Sequence, residues 1–157
     1  MNSLDLIEKI IVKFTKSKTT IAVAESCTGG YISNMITNIP GASIVFERGI
    51  ICYSNLSKIS LLNINPDYLI QYGAVSEIVA KHLANNIRIL SDVTIGIGVT
   101  GIAGPTGGTP EKPVGLVYIG FSTQKETIVK KYQFKVNRII FKEKVFEKIL
   151  TLLQNFE

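Results

Sequence analysis

At 157 residues with 46% hydrophobic content, the chain is the size of one domain and can bury a core without disulfide or metal staples. Its apolar runs are broken by charge or glycine before the roughly 18 residues a membrane span needs, and Met1-Asn2-Ser3-Leu4-Asp5 lacks the basic and apolar regions of a secretory signal. The net charge of +5 is concentrated in residues 125–148, where eight bases face three acids, and Cys27 and Cys52 form neither a CxxC pair nor a disulfide framework. A single cytoplasmic domain over 1–157, with no membrane contact, is expected. Aromatic residues interleaved with the basic segment resemble a nucleic-acid surface, but the solvated face of an amphipathic strand and helix gives the same pattern and is preferred.

Taken in chain order, Leu4, Ile7, Ile10, Ile11 and Phe14 recur at helical spacing and predict a helix over 3–16, followed by an apolar strand over 20–24. Gly29 and Gly30 mark a turn into a second helix, and a short strand is expected over 49–53. Asn65-Pro66-Asp67 opens a helix that ends at Gly73, and Ser76 caps another reaching Leu90, with Val79, Leu83, Ile87 and Leu90 inward. Residues 93–99 read as a strand buried on both faces. A glycine- and proline-rich loop over 101–113 then leads to an antiparallel pair over 114–122 and 127–136. A closing helix over 138–154 should turn Ile139, Val145, Ile149 and Leu152 inward. The expected architecture is α/β: a three-layer α/β/α sandwich around a mixed, mostly parallel sheet with an antiparallel pair near the C-terminus.

Familiar catalytic machinery is missing from the pattern. His82 is the sole histidine and falls mid-helix, no metal-ligand spacing occurs, and neither a metal nor a cofactor is expected. Gly96-Ile97-Gly98-Val99-Thr100-Gly101 matches G-x-G-x-x-G in letters only, because it lies within a strand. Two loops fall at the carboxyl ends of predicted strands, where open sheets bind ligands. In the first, Glu25, Ser26, Thr28, Gly29 and Gly30 stand at a helix start whose amides would suit a phosphate. The second contains Thr100, Gly101, Ala103 and Gly104 and is long for a simple connection.

The third feature runs from Ser43 through Tyr53 to Lys58. A serine and a lysine can perform nucleophilic catalysis together if burial keeps the amine neutral, at a penalty of roughly 4–5 kcal/mol for an unperturbed lysine at pH 7. One straight strand from Ser43 to Tyr53 would separate its ends by roughly 33 Å. A shared site therefore requires a break: Ser43 should head a helical turn that doubles back near Arg48-Gly49.

Together these stretches resemble the nicotinamide-nucleotide amidohydrolases, the family of the carboxy-terminal domain of competence/damage-inducible protein CinA. The matching residues are Ala24 through Gly30, Gly41-Ala42-Ser43, Phe46 through Gly49, Tyr53-Ser54-Asn55 with Lys58, Gly73 through Glu77, Thr100 through Pro105, and Lys112 through Gly115. The resemblance implies deamidation of nicotinamide mononucleotide in NAD salvage, a homodimer, and no cofactor. By position it implies Ser43 as nucleophile, Lys58 as general base, Tyr53 as the relay between them, and Arg138 with the two glycine-rich loops as the holders of the pyridine mononucleotide. Ser26 and Cys27 are the first alternatives for the nucleophile. Val136-Asn137 replaces the glycine and acidic residue usual before that arginine, and Lys142 stands where a second arginine is common. A non-catalytic nucleotide-binding module is the alternative function.

Overall fold

The computed structural model describes residues 2–157. Its elements are α1 (Ser3–Ser17), β1 (Ile21–Glu25), α2 (Tyr31–Thr37), α3 (Ala42–Val45), β2 (Phe46–Ile51), α4 (Asn55–Leu62), α5 (Pro66–Tyr72), α6 (Glu77–Ser91), β3 (Ile95–Gly101), β4 (Leu116–Ser122), β5 (Thr127–Gln133) and α7 (Arg138–Gln154). The sheet order is β2-β1-β3-β4-β5. The first three strands are parallel, and β4 and β5 return antiparallel.

Helices cover both faces. Ile21 and Val23 of β1, Ile95, Ile97 and Val99 of β3, and Val117 and Ile119 of β4 pack against α1, α2, α3 and α7. The alternate residues Ala22 and Ala24 face α4, α5 and α6 through Leu62, Leu69, Val79, Leu83 and Ile87. The three-layer mixed α/β architecture expected from the alternating patterns is the one observed.

The helix starts follow local chemistry. The Asn2, Asn65, Ser76 and Asn137 side chains accept from first-turn amides, while Ser54 and Ser57 form a reciprocal capping box. The G-x-G stretch of β3 serves packing. A Cβ on Gly96 would lie 2.1 Å from the Ala84 carbonyl oxygen, one on Gly98 2.4 Å from the Ala84 amide nitrogen, and one on Gly120 2.3 Å from the Ala80 carbonyl oxygen. These three glycines let the α6 backbone rest directly on the sheet.

Some expectations are corrected. β2 begins at Phe46, immediately after α3, and passes through Arg48 and Gly49 without doubling back. Gly49 is needed for close approach to α2, since a Cβ there would meet Ser33 Oγ at 2.2 Å. Ile139 is 64% exposed because it precedes the inward stripe of Phe141, Val145, Ile149 and Leu153. Leu90 is half exposed because the buried face of α6 continues from Ile87 to Ser91.

Candidate active site

β1 delivers Ser26 to the middle of the carboxyl edge of the sheet. Its N–H donates to Val99 O at 3.1 Å, and on the other flank Cys52 N donates to Glu25 O at 2.8 Å. Both bonds extend the parallel ladders one step beyond the strands and fix Ser26 between them. The connection after β1 passes over one face of the sheet and the connection after β2 over the other, so Ser26 lies at the switch point where such sheets place ligands.

The capping box starts α4 at a defined place and directs Lys58 back under the sheet edge, where its side chain is 1% exposed. Lys58 Nζ donates to Ser26 Oγ at 2.9 Å, to Cys52 O at 2.8 Å and to Tyr53 O at 3.2 Å. Burial pushes the Lys58 pKa below the ordinary lysine value, against a smaller opposing influence from the Cys52 and Cys27 thiols. In the neutral state two N–H bonds to carbonyls still form, and the lone pair remains for the Ser26 hydroxyl proton. That is the arrangement a serine nucleophile with a lysine base requires.

Ser43 lies elsewhere. It is an exposed residue of α3, next to the start of β2, whereas Lys58 follows the end of that strand. Six β2 residues separate the two ends, about 20 Å at strand rise. The break needed to join Ser43 to Lys58 does not exist, and the serine that Lys58 meets is Ser26.

Tyr53 and Lys58 do come together, but through the Tyr53 carbonyl. The Tyr53 ring is 59% exposed at the mouth of the cleft, and its hydroxyl accepts from Arg138 Nη2 at 3.0 Å. Arg138 Nη1 donates to Gly104 O at 2.8 Å, so the guanidinium bridges two rims. Asn137, which departs from the family's usual residue, caps α7 by accepting from the Ile139 and Ile140 amides and holds Arg138 at the helix start.

The first loop departs from expectation most. Glu25 is fully buried and its carboxylate occupies the start of α2. One oxygen accepts from Thr28 Oγ1 at 2.7 Å and from the Gly30 and Ile32 amides at 3.1 and 3.0 Å. The other accepts from Ser33 N at 2.8 Å and Ser33 Oγ at 2.6 Å. The Gly30 amide, expected to help cradle a phosphate, is already bonded to this internal carboxylate, as are the Ile32 and Ser33 amides that follow it, and the Ser26 and Gly29 amides donate to the Val99 and Ser26 carbonyls. Glu25, Thr28 and Gly30 therefore shape the turn that carries Ser26, and Gly30, in the left-handed region at φ 93, begins the helix.

The second loop does line the site. Gly101, Ala103 and Gly104 border a cleft of about 280 Å³ together with Ser26, Lys58 and Arg138. Thr100 also reaches the cleft, but its hydroxyl donates to Ala74 O at 2.7 Å. Ala74 and Val75, which had no assigned role, complete the wall; their only signal in the sequence was the Gly73 to Glu77 match. Cys27 touches the cleft, but burial pushes its thiol up to about 12, so it is a poor nucleophile.

Fold and site together define a three-layer α/β protein with a buried serine-lysine pair in a cleft at the carboxyl edge of its sheet. The chain belongs to the CinA C-terminal domain family, which matches residues 3–156. It is 48% identical over 133 residues to a CinA-like protein of Kosmotoga olearia, covering 84% of this chain and 32% of that one. It spans about a third of the length of the curated relatives it matches. The solved structure of competence/damage inducible protein CihA from Agrobacterium tumefaciens superposes with a TM-score of 0.94 at 32% identity, covering 98% of this chain and 95% of that one. A competence damage-inducible protein A (ComA) structure from Klebsiella pneumoniae, at 24% identity and a TM-score of 0.94 with 99% and 97% coverage, shares the fold. No helix among the described residues is long and apolar enough to cross a membrane.

Proposed function

We propose that the chain is an amidohydrolase that deamidates nicotinamide mononucleotide to nicotinic acid mononucleotide and ammonia. The observation that carries this reading is the buried Lys58 amine at 2.9 Å from Ser26 Oγ. Ser26 Oγ attacks the carboxamide carbon as neutral Lys58 takes the hydroxyl proton. The resulting ammonium returns that proton to the amide nitrogen, the C–N bond breaks, ammonia leaves, and an ester to Ser26 remains. Water then adds to the ester with Lys58 again as base, and the proton returns to Ser26 Oγ as the acid departs. The amides of Cys27 and Thr28, directly after the nucleophile, are the candidates to stabilise the tetrahedral oxyanion.

Substrate choice rests on the family resemblance, the small cleft and the cation at its rim. Arg138 is the group suited to the ribose phosphate, and Gly101 through Gly104 form the adjoining wall. Tyr53, bonded to Arg138, positions that guanidinium. The same reading has the protein act as a cytoplasmic homodimer in NAD salvage.

Ammonia release from nicotinamide mononucleotide, the nucleoside and free nicotinamide tests it. Turnover should be greatest with the mononucleotide, and Arg138→Met should raise KM for the mononucleotide while leaving the nucleoside little changed. Mononucleotide binding without ammonia release would instead establish a binding module.

A further inference from the structure

Two segments without regular structure, 73–75 and 102–107, contribute to the cleft that Ser26 also borders, and Lys112 joins them. Lys112 ends a small turn closed by Thr109 N donating to Lys112 O at 2.8 Å and by Lys112 N donating to Thr109 Oγ1 at 3.0 Å. From that turn its ammonium crosses to donate to the carbonyl of Tyr72, the last residue of α5. The end of a helix is the favourable place for a cation. Gly73 makes room for the contact: its φ is +78, and a Cβ there would lie 2.9 Å from Lys112 Nζ. Thr100 ties the next residue, Ala74, from beneath. The segment over 73–75 is thus held from the sheet by Thr100 and from the loop tip by Lys112.

We infer that Lys112 is a positioning residue that sets the width of the substrate cleft by fastening the glycine-rich loop to the end of α5. Lys112 does not line the cleft, whereas Gly104, Thr106 and Gly107 of the fastened loop do. Glycines at 104, 107 and 108 give this loop little stiffness of its own. Its base is held by Gly115 N donating to Ile102 O and Ile102 N donating to Leu116 O, and its cleft side by Arg138 on Gly104 O. Lys112 supplies the attachment on the far side. The inference rests on the proposed amidohydrolase reading for its kinetic arm only.

The test compares wild type with Lys112→Met and Lys112→Arg, reading amide hydrogen exchange over 102–109 and KM and kcat for nicotinamide mononucleotide. Lys112→Met should speed exchange in that segment and raise KM about tenfold, the size of effect expected from losing one charged hydrogen bond, with kcat within about twofold. Lys112→Arg should restore most of both. A raised KM with unchanged exchange would mean that Lys112 contacts substrate directly and would overturn the inference, as would faster exchange with unchanged KM. If the wild-type protein releases no ammonia, the amidohydrolase reading fails, and the width claim is read from exchange and from mononucleotide affinity by calorimetry. Should Lys112→Met not fold, Lys112→Gln gives the same comparison with a shorter donor, and unchanged exchange and KM or affinity in it would also overturn the inference.

Discussion

Lys58 Nζ meets Ser26 Oγ at 2.9 Å, and its other two partners are the carbonyls of Cys52 and Tyr53 rather than a carboxylate. A buried lysine in this setting can release its proton without leaving an ion-pair partner behind. Ser26→Ala should therefore reduce ammonia release from nicotinamide mononucleotide at least 10³-fold, a magnitude typical of losing a nucleophile, with little change in melting temperature. Ser43→Ala, on exposed α3, should keep near wild-type turnover. The reverse pattern would move the chemistry away from Lys58.

The pH dependence follows from burial. With the Lys58 pKa below the ordinary value of 10.5, kcat/KM should rise with pH along an ascending limb whose midpoint lies below 10.5. Lys58→Arg should abolish both the limb and the activity, because a guanidinium stays protonated. Stability has the same sign. Between the lowered folded value and 10.5 the unfolded chain holds a proton that the folded chain does not, so Lys58 makes stability increase with pH across that window. A denaturation series in that range that shows the Lys58-dependent part falling with pH would refute the assignment.

Glu25→Ala removes the acceptor for five donors at the start of α2. A loss of ~3–5 kcal/mol in urea unfolding is expected, as for breaking a buried charged network. Glu25→Gln should also destabilise, since its amide group presents donors where the site already supplies donors. Because the Ser26 turn hangs on this network, kcat should drop in both variants, and an unaffected kcat would separate the network from the chemistry.

The Cys27 thiol, pushed up to about 12, should resist iodoacetamide at pH 8 in the folded protein and react promptly in urea. Cys27→Ala should retain turnover. Loss of turnover in that variant, with its fold intact by circular dichroism, would return the thiol to consideration as nucleophile.

Gly98→Ala places a Cβ at 2.4 Å from the Ala84 amide nitrogen, a helix backbone atom with nowhere to go. A loss of about 1–3 kcal/mol is expected from thermal or urea unfolding. Unchanged stability would mean that α6 can lift off β3 at little cost.

The architecture was legible because its determinants are local: periodic apolar positions for α1 and α6, Asn65-Pro66 and Ser76 as helix starts, and the unbroken apolar run of β3. Lys58, Tyr53, Arg138 and the loop through Gly104, singled out in the sequence, border one cleft. The serine that Lys58 meets was not legible, because choosing between Ser26 and Ser43 depends on which end of the sheet each occupies. Gly49 reads as a place to break a strand, yet it exists to admit Ser33 against β2, a contact between residues sixteen positions apart. Glu25 misleads for a related reason. Its partners reach Ser33, and only the folded turn reveals that the anion attracted by α2 is already in the chain.

That internal carboxylate has a consequence for how salts should act on the proposed activity. Sulfate, phosphate and other small anions find the Gly30, Ile32 and Ser33 amides at the start of α2 permanently taken by Glu25, so that helix end offers them no seat. Their foothold is the far rim at Arg138, where they compete with the substrate's phosphate alone. Buffer ions should therefore act as competitive inhibitors against the mononucleotide and leave turnover of the uncharged-tail nucleoside almost untouched.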